Sequence, residues 1–218
     1  MTRRRPPRMA RLILIRHGES IANLERRFTR DADEPLTPEG RAQARARGEA
    51  MRARFSPSVL YSSPFRRALE TAEEIGRALG LDPRVVEDLR EQDFGIFKGE
   101  PYATFYGRYP AGGVERWDLR PDGGEMLREV ARSAGAALDR IARGHLGGEV
   151  VVVSHGGVMS ALRGWALGDY SRPPQPTPNA GGYVLRFTGE RYEGPFELEE
   201  VASDREAQEF PPPIDVLP

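Results

Sequence analysis

Two histidines in this chain stand in contexts that chemistry uses. His17 lies in Arg16-His17-Gly18, directly after the apolar run Leu12-Ile13-Leu14-Ile15, and His155 lies in Ser154-His155-Gly156-Gly157, directly after Val150-Val151-Val152-Val153. A neutral imidazole serves as nucleophile, base or hydrogen-bond donor near neutral pH. An adjacent arginine suits a phosphoryl group, because the planar guanidinium fork matches phosphate oxygens. The glycine after each histidine (Gly18, Gly156) is expected to let a ligand approach the backbone closely. Taken singly, each motif is short enough to arise by coincidence, and a lone histidine after a strand more often caps or packs. The third histidine, in Gly144-His145-Leu146-Gly147-Gly148, reads as a turn residue with a structural or solvent-facing role. With no cysteine in the chain, thiol catalysis, disulfides, Cys-ligated zinc and iron–sulfur sites are excluded. A metal site made from His17, His155 and carboxylates would set Arg16 beside a cation, so no metal is expected.

The elements that must position these residues alternate between strand and helix. Leu12–Ile15 and Val150–Val153 have the continuous apolar character of buried parallel strands. Thr37-Pro38-Glu39-Gly40 opens a charged helix to about Arg54, with Thr37 as cap and Pro38 in the first turn. Val59-Leu60-Tyr61 reads as a strand closed by Ser62-Ser63-Pro64, and apolar residues then recur at helical spacing from Phe65 to Leu79, ending at Gly80. Arg84–Val86 is a short strand, Met126–Arg143 a helix, and a further helix follows His155 to about Leu167. Gly181–Phe187 and Arg191–Val201 read as two late strands around Gly189. Residues 93–124 are rich in glycine and aromatics without a sustained period, which predicts a loop-rich excursion with one or two short helices. The pattern implies an α/β fold with a mostly parallel central sheet. Ligands bind such sheets beyond the carboxyl ends of the strands, where His17 and His155 both stand.

Bulk properties set the frame. With 218 residues, 39% hydrophobic and 30% charged, the chain has enough apolar material for one core, predicted over 9–202. Residues 1–8 read as a disordered basic extension, with Met9 as a second candidate start, and 203–218 as an extended Pro-rich tail. A formal charge of −1 offers no basic excess for nucleic acid. No apolar run approaches a membrane span, and Leu12–Ile15 is too short for a signal peptide, so the cytoplasm is the expected location. Lys98 is the single lysine among the 32 basic residues, which reads as compositional bias toward arginine.

Five blocks in order resemble the histidine phosphatase superfamily, which includes the cofactor-dependent phosphoglycerate mutases and many small phosphatases. They are Leu14-Ile15-Arg16-His17-Gly18-Glu19-Ser20 with Asn23; Pro35-Leu36-Thr37-Pro38-Glu39-Gly40; Ser62-Ser63-Pro64-Phe65-Arg66-Arg67-Ala68-Leu69-Glu70-Thr71-Ala72; Leu89-Arg90-Glu91 with Phe94-Gly95; and Gly123-Gly124-Glu125 leading to Ser154-His155-Gly156-Gly157. The likeness covers about residues 10–165. It implies a three-layer α/β/α sandwich and a metal-free reaction without cofactor. His17 would be the phosphorylated nucleophile, Arg16 and Arg67 would grip the phosphoryl oxygens, and His155 would complete the anion pocket. Glu91 would be the proton donor, although Glu87, Asp88 and Asp93 surround it and only the family register singles it out. Asn23, Thr29 and Gly156 would meet the substrate.

The resemblance leaves phosphatase and mutase to be separated. The span from Glu91 to His155 is short, as in the phosphatases, whereas Asn23–Thr29 is mutase-like. Arg30 and Lys98 depart from the family pattern. The expected activity is a phosphomonoesterase acting on a small phosphorylated metabolite through phospho-His17. The alternatives are a phosphoglycerate mutase and a non-catalytic phospholigand-binding protein on the same fold. The oligomeric state is left open.

Overall fold

The computed structural model describes residues 9–109 and 113–198. The expected extension (1–8), tail (203–218) and the last residues of the predicted core lie outside them. Strand β1 (Ala10–Arg16) is followed by a single helical turn α1 (Ile21–Leu24), helix α2 (Pro38–Arg52), β2 (Val59–Ser62), α3 (Arg66–Leu79) and β3 (Pro83–Val85). Then come α4 (Tyr102–Arg108), α5 (Leu127–Gly144), β4 (Glu149–Ser154), α6 (Gly156–Leu167), β5 (Gly182–Phe187) and β6 (Tyr192–Glu197). The strands form one sheet in the order β3-β2-β4-β1-β5-β6. β3, β2, β4 and β1 run parallel, and β5 and β6 join as an antiparallel pair of neighbours, so the expected mostly parallel sheet has a two-strand antiparallel flank.

Period-two alternation explains the layers. Leu12, Leu14, Val150 and Val152 share one core with Leu138, Met159 and Leu162 of α5 and α6. The intervening Ile13, Ile15, Val151 and Val153 share the other with Met51, Ala68 and Ile75 of α2 and α3. A strand buried on both faces has to read as a continuous apolar run, as β1 and β4 do. Thr37 caps α2 by accepting from the Gly40 N–H (2.9 Å), and Gly80 closes α3 in the left-handed region.

The described residues of the 93–124 segment form α4 and short 3-10 turns, and Phe28, Phe97 and Phe105 make a third apolar cluster there. This aromatic packing accounts for the composition that the sequence leaves without a period. The short helix α1, with its cap formed by Ser20 and Asn23, was not anticipated from sequence.

Candidate active site

Strand register builds the centre. Arg16 of β1 pairs with Ser154 of β4, and the His17 N–H donates to the Ser154 carbonyl (2.9 Å). The first residue beyond each strand is a histidine, and the two rings meet edge to face with centroids 5.2 Å apart. β2 lies beside β4, so Ser63 arrives next to His155, with Ser63 Oγ 2.6 Å from His155 Nε2. Helix α3 starts just beyond β2 and carries Arg67 over the same strand ends.

Two contacts fix the proton on His17. Nδ1 lies 2.7 Å from the Gly18 carbonyl, which only accepts, so Nδ1 carries the hydrogen. The Nε–H of Arg67 donates to Nε2 (3.2 Å), and a guanidinium has no acceptor, so Nε2 holds a lone pair. Burial, reinforced by the charges of Arg67 and Arg16, pushes the His17 pKa well below its ordinary value. Burial does the same to His155, with Arg67, His17 and Arg16 adding to it. Both rings are therefore neutral at neutral pH.

Both arginines are buried beside the two rings. Arg16 Nη1 donates to the Thr177 carbonyl (2.7 Å). Burial brings the Arg67 pKa down to about 10, so the group keeps its charge at neutral pH. Arg67 Nη1 and His155 Nδ1 are buried with no hydrogen-bond partner. Buried polar atoms without a partner are costly, and an anion on the strand ends would satisfy those that carry a hydrogen.

Above them lies a cleft of about 1440 Å³ lined by Arg16, His17, Arg67, Glu91, Gly156 and residues of the 93–124 segment. Asn23 and Thr29 also reach its wall. His155 does not: it is fully buried behind the wall, so an anion that engages it must sit deep, at the level of the His17 ring. Glu91 follows the 3-10 turn Glu87–Leu89, and its carboxylate accepts from the Gln92 N–H (3.0 Å) and the Gly157 N–H (3.4 Å). Asn23 Oδ1 accepts from Asn179 Nδ2 (3.0 Å), and Asn23 Nδ2 donates to the Tyr102 hydroxyl (3.2 Å).

The expected role of Gly18 is corrected: a Cβ there would lie 2.3 Å from the Gly40 carbonyl oxygen, so the space is taken by the protein's own backbone and this glycine allows packing rather than ligand approach. Gly156 lines the cleft, and a Cβ on it would meet the Arg16 side chain only at 3.4 Å. A Cβ on the next residue, Gly157, would lie 2.6 Å from Glu91 Oε1. Arg30 lies across Gly99, whose φ is +83°, and Lys98 pairs with Asp93 (2.7 Å); both departures thus sit on the cleft rim. His145 Nδ1 donates to the Ile141 carbonyl (2.8 Å) at the end of α5, away from the cleft.

Several contributors were not singled out from sequence. Ser63 stands at a strand end within the Ser62–Ala72 motif, and that position was its available signal. Thr71 accepts from the Gly18 N–H (3.0 Å) and donates to the Arg67 carbonyl (2.7 Å), tying both site segments together. Asn179 donates to the His17 carbonyl (3.2 Å) from a loop whose sequence carries no local signal.

The model of the histidine phosphatase superfamily (branch 1) matches residues 12–194. The chain belongs to this superfamily. The match extends past residue 165, through β5 and into the start of β6. A 2,3-bisphosphoglycerate-dependent phosphoglycerate mutase of Gloeobacter violaceus is 38% identical over 163 residues, 71% of this chain and 74% of that one. A metal-independent phosphoserine phosphatase of Arabidopsis thaliana is 33% identical over 165 residues, 69% of this chain and 66% of that one. A bifunctional protein of Mycobacterium tuberculosis is 36% identical over 66% of this chain, which spans only 41% of its length. Among solved structures, a mycobacterial glucosyl-3-phosphoglycerate phosphatase superposes with a TM-score of 0.75 at 29% identity, over 85% of this chain and 97% of that one. The superfamily relatives thus include phosphatases and mutases on a shared α/β fold.

Proposed function

We propose that the protein is a metal-independent phosphoric monoester hydrolase that works through a phosphohistidine on His17. The observation that carries this reading is the locked tautomer: Nδ1–H held by the Gly18 carbonyl and the lone pair on Nε2, beside a buried orphan donor of Arg67. Nε2 attacks phosphorus in line, the bond from phosphorus to the ester oxygen breaks, and protonated Glu91 gives its proton to the departing alkoxide. Glu91 then takes a proton from water, the resulting hydroxide attacks phosphorus, and the bond from Nε2 breaks to release phosphate. Arg16, Arg67 and His155 Nδ1 donate to the oxygens on which charge accumulates, the work that a magnesium ion does in other phosphoryl-transfer enzymes. Among the described residues no group of three or more potential metal ligands is present. The substrate of this reading is a small phosphorylated metabolite, and the setting is the cytoplasm. No helix among the described residues is long and apolar enough to cross a membrane.

Hydrolysis of p-nitrophenyl phosphate in excess EDTA tests the proposal. The wild type is expected to turn over at a rate unchanged by chelator, His17→Ala to lose at least roughly 10³-fold in kcat, and Glu91→Gln about 10²- to 10⁴-fold. Loss of activity with chelator overturns the metal-free reading, and activity in His17→Ala overturns the nucleophile. A mutase would instead interconvert 3- and 2-phosphoglycerate when primed with 2,3-bisphosphoglycerate. The short span from Glu91 to His155 favours hydrolysis.

A further inference from the structure

Helix α2 carries a cation in the stripe that amphipathic spacing reserves for apolar residues. Gly40, Ala44, Arg47, Gly48 and Met51 fall on one helix face, and all five are buried. On the same helix Arg41 is half-buried and Arg45 exposed, and they pair with Glu70 and Glu74 of α3. Arg47 turns inward instead. Its Nε–H donates to the Ala180 carbonyl (2.7 Å), away from solvent. A guanidinium taken out of water is costly unless its donors are engaged, and a bond from a charged donor is stronger than one between neutral groups.

The acceptor is unusual in its own right. Among the described residues, Arg26 and Ala180 have positive φ without being glycine, at +55° and +51°. Arg26 is exposed, whereas Ala180 is fully buried. The left-handed region crowds the Cβ of an L-residue, so it persists where neighbouring contacts hold it. The Ala180 carbonyl is held by α2, and the Ala180 N–H donates to the His17 carbonyl (3.1 Å). These two groups belong to successive peptide planes, and φ and ψ of Ala180 set the angle between them. The rest of the 177–181 loop grips the same two residues. Asn179 Nδ2 donates to the His17 carbonyl (3.2 Å), the Gly181 carbonyl accepts from the Arg16 N–H (2.9 Å), and the Thr177 carbonyl accepts from Arg16 Nη1 (2.7 Å). The nucleophile's backbone is thus held by Ser154 from the β4 side and by this loop from the β5 side.

We propose that Arg47 is a positioning residue for the nucleophile: its bond to the Ala180 carbonyl keeps Ala180 in the left-handed conformation, and that conformation sets the 177–181 loop onto Arg16 and His17. This rests on the phosphatase reading of His17. Arg47 does not line the cleft and acts through Ala180. Because the lever is a backbone angle, the role makes a specific demand. Glycine takes positive φ without the Cβ penalty, so glycine at position 180 should relieve the need for Arg47.

The test is a double-mutant cycle on kcat for p-nitrophenyl phosphate, read below the melting temperature of every variant and scaled to folded protein. Arg47→Met, which removes the donor and keeps an unbranched side chain, is expected to lower kcat by about 10- to 100-fold. In the Ala180→Gly background the same change is expected to lower kcat by less than about 3-fold. Arg47→Lys, which keeps a cationic donor, is expected to lie between wild type and Arg47→Met. Hydrogen exchange at the Ala180 N–H reads the loop without turnover, and Arg47→Met should speed it by about 10-fold or more. Equal losses of kcat in the two backgrounds, or a kcat untouched by Arg47→Met, overturn the positioning role. Wild-type turnover that is lost in His17→Ala leaves the phosphatase reading standing in either case. Should Arg47→Met fail to fold, Arg47→Lys decides: wild-type kcat together with faster exchange at Ala180 overturns the role, and lowered kcat with faster exchange supports it. A wild type that does not hydrolyse phosphomonoesters overturns the phosphatase reading, and the positioning role with it.

Discussion

At the scale of single residues, protons are placed by neighbours that can only give or only accept. His17 is the clear case; His155 depends on Ser63. Ser63 Oγ already accepts from the Phe65 N–H (3.3 Å), and its own proton points the hydroxyl toward His155 Nε2 when that nitrogen holds the lone pair. In that tautomer the hydrogen of His155 is on Nδ1, the arrangement that the proposed anion pocket requires. Ser63→Ala leaves Nε2 buried and unpaired, and is expected to lower kcat/KM for p-nitrophenyl phosphate by about 10- to 100-fold. The ¹⁵N shifts of the His155 ring should change with it, reporting the lost Nδ1–H tautomer. An unaltered ring signal together with unaltered kinetics would remove Ser63 from the site.

At the scale of elements, the site exists because parallel strands end together. The one-residue steps from Arg16 to His17 and from Ser154 to His155 are in register, so two histidines distant in sequence become neighbours. The loop after β1 then has to pass the first turn of α2 at backbone contact distance. Gly18→Ala drives a methyl group into the Gly40 carbonyl and is expected to cost about 1–3 kcal/mol in urea unfolding, with lost activity as His17 shifts. Gly107→Ala, in α4 with nothing near its added Cβ, is the contrasting change and should leave stability equal or slightly higher. Equal behaviour of the two variants would contradict the packing role of Gly18. The strands and long helices were readable from sequence because burial on both faces leaves continuous apolar runs and because Thr37, Pro38 and Gly80 mark helix ends. In the segment 93–124 the loop-rich character and a short helix were readable, but the packing was not, since Phe28, Phe97 and Phe105 come together from separate turns that have no common period. Asn179 escaped for a related reason: its partners, His17 and Asn23, lie at the other end of the chain.

At the scale of the whole molecule, the site makes the fold sensitive to acid. His17 and His155 are held neutral in the folded protein, whereas in the unfolded chain they take up protons near pH 6.5. Below that pH the unfolded state binds protons that the folded state refuses. Stability is therefore full above about pH 6.5 and falls as pH drops toward the depressed folded values, by up to about 1.4 kcal/mol per pH unit for each histidine. In phosphate-free buffer the Tm should decline between pH 6.5 and 5, and the decline should be shallower in His155→Asn. A Tm that is flat or rising over that interval would show that the two rings are not buried as neutral groups.

The central claim is that His17 Nε2 becomes covalently bonded to phosphorus during turnover. Its direct test is to mix the enzyme with ³²P-labelled phosphomonoester, quench within milliseconds in denaturing alkali, and map the label. The expected result is label on the peptide containing His17, stable in base and lost in acid as a phosphorus–nitrogen bond is, and absent from His17→Ala. Turnover by the wild type with no trapped label, paired with continued hydrolysis by His17→Ala, would contradict it, as would label found on any other residue.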